Sequence, residues 1–325
     1  MTGPNGVGKT NLLEAIHVGS QGFSPRTRSD AEIIRFGRQA ARVALRGERR
    51  GAALDLELLL ALQRGKRARL NGAALTAAEQ LRHEVSVLVF TPDRLVIVKG
   101  APAARRSYFD RALGRLAPAR ATLPVEYAAA IGQRNASLRR VAAGLASRDS
   151  LEPWTQRVAE LGAELMEARR GVVSALAPGF RRHGEALGLP AAELRYEGEA
   201  ATANALEARL ERDLDKGTTG LGPHLHDIGI LVAERDLRRF GSQGEQRLAV
   251  LALLLAEAEL VNDGGDQALL LLDDVLSELD DSRREVLVER ARELGQCLVT
   301  ATSRSALPGA PDQLVEVEPG RARAA

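Results

Sequence analysis

Residues 1–16 read "MTGPNGVGKTNLLEAI". Gly3, Gly8, Lys9 and Thr10 hold the spacing G-x-x-x-x-G-K-[ST] of a phosphate-binding loop. Leu12, Leu13 and Ile16 then fall on one side of a helix, which is the element such a loop must lead into. Gly3, Pro4, Asn5, Gly6, Val7, Gly8, Lys9, Thr10 and Asn11 are the candidate nucleotide-binding residues. Backbone N–H groups of the loop can wrap phosphate oxygens, and the helix turns its positive end toward them. The compact Lys9 ammonium can reach β- and γ-phosphates, and the Thr10 hydroxyl is a ligand for Mg²⁺. Lysine is otherwise confined to Lys66, Lys99 and Lys216 in a chain with 45 basic residues, so a lysine at this position has a chemical reason.

A phosphate loop needs a second half, an apolar strand ending in an acid. "ALLLLDDVLSELD", residues 268–280, supplies it. Leu269–Leu272 reads as a buried strand, Asp273 as the Mg²⁺ acid and Asp274 as the group that polarises water. Thr10 and Asp273 lie at opposite ends of the chain but must meet at one Mg²⁺. The first and last segments therefore share a sheet, and the middle is an inserted lobe.

A third stretch precedes the acidic strand: "FGSQGEQRLAVLALLLAEAEL", residues 240–260. Ser242, Gln243, Gly244, Glu245 and Gln246 open a helix and offer a hydroxyl and backbone donors at its positive end. An ordinary serine-capped helix has the same look. Its place just upstream of the acidic strand favours a second phosphate-reading device. Two such devices in one chain imply a head-to-tail homodimer.

The rest of the chain is consistent with a large α/β protein of 325 residues. Strands are expected at 41–46, 53–62, 67–70, 85–90, 228–232, 268–272 and 297–300, with an Asn71-Gly72 turn. Helices are expected at 102–116, 125–145, 154–176, 246–261 and 282–294. The helical pair 125–145 and 154–176 reads as an antiparallel hairpin, and the tail after Pro308 as fraying. The most apolar run, Leu248–Val261, is too short to span a bilayer and contains Glu257 and Glu259. A formal charge of +2 means that a nucleic-acid partner needs a local basic face. One cysteine, Cys297, excludes an internal disulfide and fits a reducing cytoplasm.

The three motifs together resemble the ABC-type ATPase heads of SMC proteins. With "GPHLHDIGI" (222–230) and "PDRLVIVKGAPAARRSYFDRAL" (92–113), they are closer still to the bacterial RecF recombination-repair family. The resemblance runs from Gly3 to about Thr302. It implies an α/β, ABC-type P-loop ATPase head with an inserted, mostly helical second lobe. Residues 1–117 and 245–325 would form the ATPase lobe, and 118–244 the inserted lobe ending in the signature. It implies ATP and Mg²⁺ as cofactors, with Lys9, Asp274 and Ser242 catalytic and Thr10 and Asp273 on the metal. Ser277–Asp280 resembles the loop that contacts the opposite active site. The implied partners are double-stranded DNA, single-/double-strand junctions, RecR, and the RecO and RecA pathway. The implied behaviour is an ATP-dependent homodimer with no membrane role and weak ATPase activity.

Three departures from the family pattern matter. Asp93 stands about where relatives have a glutamine that senses the γ-phosphate. Ala301 or Thr302 stands where transporters carry a switch histidine, which predicts slow hydrolysis. The family's N-terminal strands do not precede Gly3, which leads to the expectation that the natural protein begins upstream of Met1.

Other features carry less. His224, His226 and Asp227 lie close in sequence but lack a further histidine or cysteine nearby to complete a metal site. Arg105–Arg106, Arg139–Arg140, Arg169–Arg170 and Arg181–Arg182 read as solvated faces, some of which would line a DNA path. Aromatics at 3% favour backbone contact with a duplex over stacking on single-stranded bases. A transporter ATP-binding subunit would have a smaller middle lobe and the switch histidine. An SMC-like chromosome organiser would need a far longer coiled coil. A small-molecule kinase would not need residues 242–246.

Overall fold

A computed structural model describes residues 1–27, 29–265 and 267–325. The chain packs as two compact units, Met1–Arg94 with Val261–Ala325, and Leu95–Leu260. It enters the first through α1 (Lys9–Gln21), α2 (Asp30–Ile33), β1 (Ala40–Arg49), β2 (Ala52–Ala61), β3 (Gly65–Leu70), β4 (Ala73–Ala74) and β5 (Ser86–Phe90). The second unit holds α3 (Val96–Lys99), α4 (Pro102–Leu116), α5 (Leu123–Ala142), α6 (Glu152–Ala186), β6 (Ala192–Glu197), α7 (Ala203–Ala208) and α8 (Leu210–Lys216). It continues with β7 (Asp227–Val232), β8 (Arg235–Asp236) and α9 (Leu237–Phe240), and α10 (Gln243–Asp263) crosses back. The chain ends in the first unit with β9 (Ala268–Leu272), α11 (Asp281–Glu293), β10 (Cys297–Val299), β11 (Val315–Glu318) and β12 (Arg321–Ala324).

The first unit is built around a parallel sheet in the order β10-β9-β5. The unbroken "ALLLL" of β9 suits a central strand covered on both faces, and Leu270, Leu271 and Leu272 are fully buried. First and last segments thus share one sheet, with the second unit inserted between β5 and β9. Met1 and Thr2 extend this arrangement: Thr2 bridges Ala301 and Glu316, both in parallel. The tail after Pro308 does not fray. β11 and β12 form a hairpin, Val317 is buried, and its N–H donates to Thr2 O at 2.8 Å.

A second sheet, β1-β2-β3-β4, is antiparallel. Its inner face is set by alternation: Leu56, Leu58 and Leu60 pack with Val18 and Leu81. Asn71 and Gly72, at φ 48° and 83°, make the tight turn into β4 that their dipeptide predicts.

The second unit is mostly helical. α5 and α6 form the expected hairpin, but α6 runs on to Ala186. At 35 residues it is about 50 Å long. Val158, Leu161, Leu165, Val172, Leu176 and Phe180 form its buried stripe. The hairpin is pinned to the region before β7 by Arg134. That side chain is wholly buried and donates to Asp213 Oδ2 and Thr219 Oγ1, both at 2.9 Å. β6 pairs antiparallel with β7.

Candidate functional site

The parallel strands end flush. Phe90 is opposite Leu272, and Leu272 is opposite Val299. The next residues, Thr91, Asp273 and Thr300, therefore form one row at the carboxyl edge of the sheet, and all three are buried. Asp273 N–H donates to Phe90 O at 3.0 Å, and Thr300 N–H to Leu272 O at 3.0 Å. Thr2 extends the row beyond Ala301 and delivers the chain into the glycine loop. One sheet edge thus carries both the entrance to the phosphate loop and the acidic pair.

Within the loop, Gly8 forms the N-cap of α1 at φ 108°. A Cβ on Gly3 would meet Val317 O at 2.3 Å, so only glycine fits against the C-terminal hairpin. Lys9 is the first residue of α1, and its Nζ donates back to Gly3 O at 2.6 Å and Pro4 O at 2.9 Å. The ammonium is thereby held over the loop, where an anion would meet it. Pro4, Asn5, Gly6 and Asn11 are exposed, and Val7 and Thr10 are half-buried.

The acids differ in setting. Asp273 is 5% exposed, whereas Asp274 is exposed and adopts φ 49°, a left-handed conformation that non-glycine residues seldom take. One hydroxyl joins them: Thr300 Oγ1 donates to Asp273 Oδ1 at 2.9 Å and accepts the Asp274 N–H at 2.8 Å. Asp273 Oδ2 has no hydrogen-bond partner among the described residues. The Asp273 carboxylate, with one oxygen free of protein partners, and the threonine hydroxyl at the start of α1 are hard oxygen donors of the kind Mg²⁺ takes. Ser277 Oγ donates to Asp274 O at 3.2 Å, and Asp280 caps α11. Asp93 is exposed in the turn after β5.

Ser242 and Glu245 form a reciprocal capping box at the start of α10. Ser242 N–H donates to Glu245 Oε2 at 2.8 Å, and Glu245 N–H to Ser242 Oγ at 3.2 Å. Hydrogen bonding from the Ser242 N–H, and then from Arg235, holds the Glu245 carboxyl below the usual carboxylate range. Ser242, Gln243 and Gly244 are exposed. Gln246 is not: its amide is buried and donates to Leu237 O at 2.9 Å and Gly241 O at 3.3 Å. Its side chain holds the loop in shape, while the serine, glutamine and glycine face solvent.

Two of the arginines read as solvated faces are instead internal. Arg105 and Arg169 are buried and grip Asp227 and Asp110 through two bonds each. Arg106 donates to His226 O, and Arg170 to Gly198 O while lying over the Tyr196 ring. The histidines are equally engaged. His224 meets Tyr127 Oη at 2.9 Å and Thr219 O at 3.0 Å, and His226 meets Tyr196 Oη at 2.8 Å. Among the described residues no group of three or more His, Cys, Asp or Glu side chains could hold a metal. Burial pushes the Cys297 thiol up to about 12, which leaves it inert at neutral pH. No helix of the described residues is long and apolar enough to cross a membrane.

Sequence reading missed Thr300 as a site residue. "LVTATS" marks the strand end, but the role of its first threonine appears only in the register of β9 and β10.

Residues 1–324 match the family described as RecF/RecN/SMC N terminal domain. The DNA replication and repair protein RecF of Geobacillus kaustophilus (strain HTA426) is 36% identical over 318 residues, covering 93% of this chain and 85% of its own. A solved structure of the recombination mediator protein RecF with ATP, in the RecFOR pathway, matches with a TM-score of 0.86 at 27% identity. That match covers 100% of this chain and 90% of the other. An Smc head domain from Pyrococcus furiosus, 17% identical, shares the fold with a TM-score of 0.57, covering 100% of this chain and 88% of its own.

Proposed function

This chain belongs to the RecF family of DNA replication and repair proteins, and from that premise we propose that it is an ATP-driven clamp on duplex DNA beside single-strand gaps. Its fold is the ABC-type ATPase head with an inserted helical lobe. ATP lies in the loop Gly3–Thr10, with Lys9 against the β- and γ-phosphates. Thr10 and Asp273 would hold Mg²⁺, which when bound would neutralise negative charge on the phosphates. Asp274 orients and deprotonates the attacking water, and the terminal phosphoryl group passes to that water to leave ADP and inorganic phosphate. Ser242, Gln243, Gly244 and the start of α10 cap the ATP held by a second copy, while Glu245 and Gln246 fix the shape of the cap.

ATP thereby closes a homodimer on DNA, and slow hydrolysis, with Ala301 or Thr302 in place of a switch histidine, reopens it. Residues 1–117 with 245–325 act as the ATPase lobe and 118–244 as the inserted lobe that ends in the signature, while Leu95–Leu260 pack as one compact unit. In the cytoplasm the clamp works at single-/double-strand junctions with RecR and RecO to help place RecA on the single strand.

The observation that carries this reading is the shared carboxyl edge, where the loop entrance at Thr2, the buried Asp273 and Thr300 stand in one row. Light scattering with and without ATP, in the presence of duplex DNA, tests it. A monomer that doubles its mass only with ATP is expected, and a mass indifferent to ATP would sink the reading. DNA affinity should also fall steeply with added salt, because phosphate neutralisation releases counterions.

A further inference from the structure

Several large aromatic side chains in this chain are core: Phe90, Phe109 and Phe180 are completely buried. Phe36 is the opposite, at 103% exposed. Phe240, the other exposed aromatic among the described residues, is 67% exposed and stands directly before the signature loop. Phe36 has no such neighbour. It sits at the tip of a four-residue turn closed by Arg38 N–H donating to Arg35 O at 2.9 Å, with Gly37 at φ 77° supplying the left-handed corner. The geometry holds the ring away from the protein rather than folding it in.

The surroundings are basic. Leu62 N–H donates to Gln39 O at 3.1 Å, so the β2–β3 turn lies beside the base of the Phe36 turn. Exposed Arg64 comes from that turn, and exposed Arg67 follows on β3, opposite Leu59. On the same sheet, Arg42 and Arg69 are paired with Glu57, and Arg46 with Asp55. Arg35, Arg38, Arg64 and Arg67 have no acidic partner within ion-pair distance among the described residues. Four guanidinium groups without an acidic partner, on the Phe36 turn, the adjoining β2–β3 turn and β3, complement a polyanion that carries flat apolar faces.

We propose that this turn is a base-stacking subsite. Phe36 lays its ring on the base exposed where a duplex gives way to a single strand, and Arg35, Arg38, Arg64 and Arg67 take the flanking phosphates. The inference rests on the DNA-binding reading above and names the residues by which the chain would tell a gap edge from intact duplex. Inside a duplex every base face is covered, and exposing one costs unstacking energy. At a gap edge one face is already open, so the same ring gains contact without that cost. Stacking tolerates any base, because every base has a π-face.

The test is fluorescence anisotropy with the full chain and ATP, comparing a labelled gapped duplex with an intact duplex of equal length. Wild type should prefer the gapped DNA. Phe36→Ala should weaken gapped binding by roughly tenfold or more and leave intact-duplex binding nearly unchanged. Phe36→Leu should not restore the preference, whereas Phe36→Trp should, with indole emission quenched on gapped DNA. Equal binding of Phe36→Ala and wild type to gapped DNA, or full recovery by Phe36→Leu, would overturn the subsite while leaving duplex binding intact. Wild type that binds neither DNA would overturn the DNA reading itself, and the subsite with it.

Discussion

The Thr300 hydroxyl donates to Asp273 Oδ1 at 2.9 Å, and the same oxygen accepts the N–H of Asp274 at 2.8 Å. One side chain thus fixes the direction of the buried carboxylate and the left-handed backbone that turns the second acid out to solvent. Thr300→Ala removes both bonds. ATP binding should survive, because the loop Gly3–Thr10 is untouched. The kcat for ATP hydrolysis should fall by about 10–100-fold, the usual effect of losing a group that orients a metal ligand. Thr300→Ser should recover most of it. A Thr300→Ala enzyme with unchanged kcat would show that the acids hold their geometry unaided.

Asp274→Asn keeps the shape of the side chain but removes its basicity. It should bind ATP, fail to turn it over, and accumulate the dimeric form. Size-exclusion chromatography with ATP reads this directly: a variant that stays monomeric would separate Asp274 from the hydrolysis step.

Arg134 and Asp213 are 0% and 1% exposed, and their bond lies deep in the helical unit. Arg134→Met takes away the close cation of a buried carboxylate and leaves it only Arg209, at 3.9 Å. The expected loss is about 3–5 kcal/mol of stability, read from urea denaturation. A loss below about 1 kcal/mol would mean that solvent reaches Asp213.

His224 is held below the ordinary imidazole pKa, first by burial, and packs against the Tyr127 hydroxyl. The unfolded chain then takes up a proton at a higher pH than the folded one. Stability from this group is complete above the unfolded value, about 6.5, and falls as the pH drops below it. The urea midpoint should therefore decline between about pH 7 and pH 5.5, and His224→Gln should flatten that decline. An equal slope in the variant would assign the acid sensitivity elsewhere.

Much of the site is legible in the sequence because its parts are contiguous. Lys9 and Thr10 follow their glycines directly, Asp273 and Asp274 end an apolar run, and Ser242 opens a helix. What could not be read depends on pairing at a distance. Thr300 meets Asp273 only through the register of two parallel strands. Arg105 and Arg169 look like surface charges until Asp227 and Asp110, which lie 122 and 59 residues away, are folded against them. β6, "AELRYE", has too short an alternation to stand out, and it becomes a strand because β7 lies beside it. The last hairpin looks like a Gly- and Pro-rich tail, yet Thr2 gives β11 a partner from the other end of the chain. Low aromatic content argued against stacking on bases, but composition does not say that one of those rings, Phe36, stands clear of the protein.

The central claim is that each ATP is held by the glycine loop of one copy and capped by Ser242 of another, and mixing two inactive variants tests it most directly. Lys9→Met spoils the loop and Ser242→Arg spoils the cap, so neither alone should dimerise or hydrolyse ATP. A pair made of one of each carries one site that is wholly intact and one that is doubly damaged. Mixing them in equal amounts should therefore restore ATP-dependent dimers and a measurable share of the wild-type hydrolysis rate. A mixture as silent as its components, or a Ser242→Arg protein that dimerises normally by itself, would contradict the account.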